Sequence, residues 1–440
     1  MVGAVEARAG YLPALDGLRA VAVAAVVAFH LGHLRGGFLG VDVFFVISGF
    51  LITRLLLVEH ERTGSISLRR FWVRRFRRLV PALAVVLVVV AVASRAWLPA
   101  WRIVGIRDDA LSAMAYVANW RFSWSGQSYF ARGIGPSPLR HTWSLAIEEQ
   151  FYVVWPVLVL GAVVLADRLR RASARVVVGV VSGGAAIASA VWMAVSAGSA
   201  DDLSRVYYGT DTRVFALAAG SWLATWWDGW LAAPTTSVGR RRRAEVASIA
   251  AAAALAGLVV VVALAAEDRA ASYRWAFQVA AVLAAVAVAG VVAGKGPLSA
   301  VLGSGPLRWI GRRSYGIYLW SWPTQVLVTA RYGLGPAALA AVVVVGSVAL
   351  ASASFALVEE PIRTGRWFGA RRGAERSAAS VDARRRVPGV AIGLAALVAV
   401  VALVAVVAVG APAEPSFLRT STEEVAAGAL RPAVTPAGGS

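Results

Sequence analysis

Apolar runs of about twenty residues recur along this chain from residue 15 to residue 410, separated by short polar or arginine-rich connections. A run of that length, coiled as a helix, matches the hydrocarbon thickness of a bilayer. With 59% hydrophobic and only 15% charged residues and a mean hydropathy of +0.68, the chain is too apolar for a soluble protein of its size. The predicted fold is all-α: a polytopic membrane bundle of about ten core spans plus one additional C-terminal span. The core spans fall near 15–33, 38–58, 79–98, 143–165, 176–197, 211–231, 246–265, 275–293, 314–330 and 337–358. Residues 1–363 form the core, 364–388 a basic cytoplasmic linker, 389–410 the additional span, and 411–440 a tail rich in Pro, Ala, Gly and Thr that is expected to be disordered.

The loops orient the bundle. Arg62, Arg69, Arg70, Arg74, Arg75, Arg77 and Arg78 crowd one connection, the signature of a cytoplasmic loop, which puts the N-terminus inside and the C-terminal tail outside. Segment 103–122 is broken by Asp108, Asp109, Asn119 and Arg121. If it crossed fully, Arg168, Arg170, Arg171 and Arg175 would land outside, so it is expected to be interfacial or re-entrant. The formal net charge of +20 resides in these short clusters and argues for membrane orientation and lipid contact, not for a nucleic-acid partner. The first apolar stretch lacks the cleavage pattern of a signal peptide and is expected to stay as a span.

The same composition narrows the chemistry. The chain has no cysteine, which excludes thiol catalysis and cysteine-ligated metals, and His30, His33, His60 and His141 show no ligand spacing, so no metal site is expected. Ionisable side chains inside the spans are costly and invite a functional reading. Arg19 and His30 are eleven residues apart in the first span, about 16 Å of rise and about 20° of rotation on a helix, so they share a face. Asp16 lies about 40° to the other side of His30, which completes one polar stripe on a helix of Ala and Val. The bland alternative has Arg19 snorkelling to headgroups and His30 serving as an interhelical hydrogen-bond partner.

Seven motifs, LDGLRAVAVAAVVAFH, GGFLGVDVFFVISGFLITRLL, FWVRRFRRLVPAL, LRHTWSLAIEEQFYVVWP, YYGTDTRVFALAAG, RRSYGIYLWSWP and VEEPIR, follow one another between residues 11 and 363. Together they resemble the acyltransferase-3 family of integral membrane acyltransferases. The resemblance implies a multi-pass protein of the plasma membrane with no permanently bound cofactor. It implies an acyl-CoA donor, usually acetyl-CoA, met from the cytoplasm, and a hydroxyl acceptor on a surface glycan or glycosylated metabolite. The family's Arg-x10-His motif falls on Arg19 and His30, which implies His30 as catalytic base. Imidazole suits that task because its pKa lies near working pH. A covalent acyl-histidine ranks second.

The family's Arg-x-x-Arg motif implies donor binding in one of two registers, Arg74 with Arg77 or Arg75 with Arg78, where guanidiniums suit coenzyme A phosphates. Positive-inside topology alone would also explain the cluster. Glu148 matches the family's glutamate and is expected either to orient His30 or to serve as a structural carboxylate. His141 and Trp143 are placed to line the acceptor entrance, and Asp42, Asp211 and Arg213 to join a polar network around a cavity. Trp120, Trp124, Tyr129, Tyr207 and Tyr208 are expected to face outward, for sugar stacking or interfacial anchoring. Ser321 stands where family members commonly carry histidine, which would mark decay if the chain were a non-catalytic partner. Run 389–410 resembles the junction to an outer esterase-like domain, although no Gly-Asp-Ser motif follows it. A transporter or flippase using the same intramembrane charges is the rival from another class.

Overall fold

A computed structural model of the chain describes residues 11–124, 135–169, 173–199, 203–232, 236–293 and 296–364, together with 404, 409 and 410. Its helices are α1 Pro13–His30, α2 Gly40–Thr63, α3 Leu68–Trp97, α4 Ile103–Met114, α5 Ala118–Trp124, α6 Thr142–Leu169, α7 Ala174–Ser199, α8 Ser204–Tyr208, α9 Thr210–Ala232, α10 Ser237–Leu264, α11 Ala270–Val292, α12 Pro297–Leu302, α13 Gly305–Arg331, α14 Pro336–Ser354 and α15 Glu360–Arg363. No strand occurs among the described residues.

Among the described residues eight helices are long and apolar enough to cross a membrane. Two more, α9 and α13, match them in length but carry charges such as Asp211, Arg213, Arg312 and Arg313. The ten core spans expected from the sequence include these two. In place of one continuous helix, segment 103–122 forms α4 and α5, of 12 and 7 residues. At 1.5 Å per residue neither reaches across a hydrocarbon core of about 30 Å. The linker at 364–388, the run at 389–410 and the tail at 411–440 lie outside the described residues, save Val404, Val409 and Gly410.

Burial follows position in the bundle. The most apolar stretch of α2 is 72% buried, that of α7 only 22%, so α2 runs through the centre and α7 along the rim. Helix α9 packs along α2 and α7, and α1 packs along α13. The second of these contacts is very close: a Cβ on Gly311 would collide with the Asp16 carbonyl, so the backbones of α13 and α1 touch three residues from Arg19. Small residues permit such an approach between apolar helices. At its other end α1 stops just before Gly32, whose φ of +78° suits glycine, and a short turn over Arg35–Leu39 leads into α2. These constraints fix α1 at both ends and hold its Arg19–His30 face toward α2, α6 and α13.

Candidate functional site

Two pockets lie along that face. The larger is lined by Arg19 of α1, Arg75 and Arg78 of α3, Ser144, Glu148 and Tyr152 of α6, and Ser314, Tyr315 and Tyr318 of α13, among others. The smaller holds His30 at the end of α1, with Arg140, His141, Trp143, Tyr207, Tyr318 and Trp322 in its wall. Val41 and Tyr318 line both. The eleven-residue spacing of Arg19 and His30 therefore places one in each pocket, on one face of one helix.

In the arginine pocket the charges are seated. Ser48 and Tyr152 both donate hydrogen bonds to the same oxygen of Glu148. The Arg75 guanidinium lies 5.6 Å from the centre of the Phe71 ring and 5.3 Å from that of Tyr152, which holds it by cation–π attraction on two sides. Arg19 keeps a buried Nε–H with no acceptor. Among the lining residues three guanidiniums stand against one carboxylate, an excess of positive charge that suits a phosphorylated ligand. Between the two registers of the Arg-x-x-Arg motif, the wall takes Arg75 and Arg78. Arg74 instead faces Glu59 at 3.8 Å, and Arg77 is not part of the lining.

The histidine pocket has a different character. The His30 ring packs edge-on to Trp322 at 4.7 Å, and its backbone carbonyl accepts from the Gln325 amide at 2.6 Å. Its Nδ1 is buried without a hydrogen-bond partner, and neither ring nitrogen of His141 makes a well-formed hydrogen bond. His141 lies just ahead of α6, and burial pushes its pKa down to about 3. The Arg140 guanidinium covers Trp322 at 4.7 Å. Behind the aromatic wall the wholly buried pair Arg213–Asp42 meets at 3.1 Å. The same guanidinium lies 4.4 Å from the centre of the Phe277 ring, 5.3 Å from Trp143 and 5.4 Å from Tyr207, the last two being pocket residues.

Other expected members of the network sit elsewhere. Asp16 accepts from the Tyr11 hydroxyl at 2.7 Å at an exposed position. Asp211 is bound by Arg205 at 2.9 Å and Trp192 at 2.8 Å, two residues and an opposite helix face away from Arg213. Glu148 lies with the arginines, in the pocket that His30 does not line. Tyr207 and Tyr208, expected to face outward, are buried, whereas Trp124 is exposed; Tyr129 lies outside the described residues. Ser321 is buried, and its hydroxyl donates to the Tyr318 carbonyl at 3.2 Å. Sequence reasoning passed over Ser48 as a Glu148 partner, and also Tyr152, Ser144 and Tyr318. For Tyr152 there was a signal: it stands four residues after Glu148 and so on the same helix face. Among the described residues no group of three or more His, Cys, Asp or Glu could hold a metal ion.

Residues 12–356 match a family described as an acyltransferase domain. The chain belongs to that family. Among the relatives of this acyltransferase-domain protein, the peptidoglycan O-acetyltransferase OatA of Listeria monocytogenes is 39% identical over 357 residues, which cover 80% of this chain and 56% of the relative. A Bacillus subtilis protein, YrhL, named provisionally as a peptidoglycan O-acetyltransferase, is 39% identical over 363 residues, covering 80% of this chain and 55% of the relative. The chain thus spans about half the length of these two curated relatives. No solved structure matches.

Proposed function

We propose that this chain is the membrane part of an O-acetyltransferase that moves an acetyl group from cytosolic acetyl-CoA to a hydroxyl of a cell-envelope glycan, peptidoglycan in the first instance. The observation that carries the reading is the meeting of two unlike pockets at Tyr318 and Val41 inside an acyltransferase-domain bundle. Arg75 and Arg78 take the phosphates of the donor by charge-assisted hydrogen bonds, and Arg19 guides the donor deeper. Glu148 serves these arginines as counter-charge. At the far end His30 accepts the proton of the acceptor hydroxyl as its oxygen attacks the thioester carbonyl. The new C–O bond forms, the C–S bond breaks, and the imidazolium returns the proton to the departing thiolate.

In this reading residues 1–363 are the catalytic core, with the N-terminus and the arginine pocket on the cytoplasmic side of the plasma membrane and the histidine pocket toward the outside. Residues 364–388 serve as a linker and 389–410 as a further span, with 411–440 outside. The peptidoglycan acceptor is taken from the names of the relatives. Membranes supplied with labelled acetyl-CoA and peptidoglycan acceptor test the scheme. Transfer by His30→Ala is expected to fall by about 10²- to 10⁴-fold, the usual contribution of a positioned base. Wild-type transfer by that variant would overturn the assignment of the base. A wild-type chain that consumes no thioester would overturn the donor.

A further inference from the structure

We propose that Tyr318, with Val41, is the partition between the two pockets and sets the length of the acyl group that can be transferred; this rests on the acyl-CoA reading above. Both residues line both pockets, and both are buried. The tyrosine is fastened in place at its far end. Its hydroxyl donates to the His141 carbonyl at 2.8 Å, and the Ser144 hydroxyl lies 2.7 Å away with its own link to the same carbonyl at 3.3 Å. Those groups are buried as well, so the hydroxyl makes its bonds where water does not compete.

The position of the ring relative to the chemistry gives the partition its consequence. The centre of the Tyr318 ring is 6.5 Å from that of His30 and 5.4 Å from that of His141. A thioester carbonyl brought from the arginine side to His30 carries its acyl chain into the histidine pocket, whose wall includes Tyr318 and Val41. A methyl group asks little of that space. Each further methylene must find volume in a buried wall whose ring is held at both the backbone and the hydroxyl, and misfit of one methylene in such a wall changes transfer by about tenfold or more. Tyr318 is on this account a specificity-determining residue. It takes no part in bond making.

Purified wild-type chain, Tyr318→Leu and Val41→Ala are compared with acetyl-, butyryl- and hexanoyl-CoA and the same glycan acceptor, and the ratio of butyryl to acetyl kcat/KM is read. Both variants are expected to raise that ratio by about tenfold, Tyr318→Leu the more. A merely structural loss would lower all donors alike and leave the ratio where it was. Unchanged ratios in both variants, with an active wild type, overturn this inference alone. Val41→Ala decides the matter if Tyr318→Leu does not fold. Loss of acetyl transfer in both variants at wild-type unfolding temperature also overturns it, because the shortest chain does not need the filter. A wild type that consumes no acyl-CoA overturns the donor reading and this inference together.

Discussion

The two pockets share a wall yet treat polar atoms in opposite ways. In the arginine pocket the carboxylate of Glu148 is bonded twice and Arg75 lies against two rings, so these two charges are held before any ligand arrives, and only the buried Nε–H of Arg19 is left without an acceptor. In the histidine pocket Nδ1 of His30 and the ring nitrogens of His141 lie among aromatic rings with bonding capacity unspent. An unpaired buried polar atom costs about 1–3 kcal/mol, so such atoms persist where something other than stability retains them. A pocket with settled charges is suited to holding an anion. One with idle imidazoles is suited to moving a proton. In the proposed function this difference divides binding from proton transfer along the bundle, with α1 carrying one group for each.

The largest expected effect tests what supports the histidine side. Arg213→Met strips the wholly buried Asp42 of its partner and the Trp143–Tyr207 wall of its backing, and should destabilise the protein by about 3–5 kcal/mol. Replacing both partners, Arg213→Met with Asp42→Leu, should recover most of the loss, since a matched apolar pair needs no desolvation. Thermal unfolding in detergent reads both. If the single variant is as stable as wild type, the pair is not what braces that wall.

Next in size is a test of the arginine side. Removing Arg75 and Arg78 together should raise the donor's apparent KM by about a hundredfold or more, each charged hydrogen bond being worth about 1.5–3 kcal/mol, and leave acceptor KM in place. Removing Arg74 and Arg77 should do much less. Equal effects from the two double variants would mean that the cluster acts only through its summed charge. The contrast between a built binding pocket and a general basic surface would then fail.

How much of this was legible depends on whether one helix or two had to be known. The shared face of Arg19 and His30 follows from periodicity within α1, and the structure keeps it. The arginine register also had a signal within one helix. Phe71, Arg75, Arg78, Leu79, Ala82 and Val86 follow the spacing of one face, and the apolar members of that set are buried. Arg74 and Arg77 stand off that stripe. Which arginines line the pocket could have been read by asking which of them share a face with the core. Glu148 was harder. Depth along α6 suggested His30, but which neighbour a carboxylate meets depends on how α6 is rotated against α1, α2 and α3, and no single helix records that. Asp211 and Arg213 show the converse: two residues apart they cannot face one way, and they find separate partners, Arg205 and Asp42. Tyr318 escaped notice because a tyrosine in an apolar helix has no unusual cost to draw attention, and its importance lies in touching two cavities at once.

The smallest effect bears on whether the histidine pocket truly keeps its second ring neutral. His141 has an ordinary pKa of about 6.5 in an unfolded chain and about 3 in the fold. Above pH 6.5 the ring is neutral in both states and contributes no pH dependence. As pH falls below 6.5 the unfolded chain gains a proton that the folded chain refuses, so stability declines, and the decline continues down through pH 3. Arg140, His30 and Tyr318 share the pocket with this ring, and a backbone hydrogen bond at Leu319 offsets part of the effect of burial. Between pH 7 and pH 5 the expected loss is about 2 kcal/mol, from 1.36 kcal/mol per unit over about 1.5 units. His141→Gln removes this share of the slope, so the difference in unfolding free energy between variant and wild type should shift by that amount over the same window. A difference that stays constant from pH 7 to pH 5 would mean that His141 takes its proton in the fold as readily as in the open chain. Water would then have to reach it, and the two pockets would differ in lining but not in the way they hold charge.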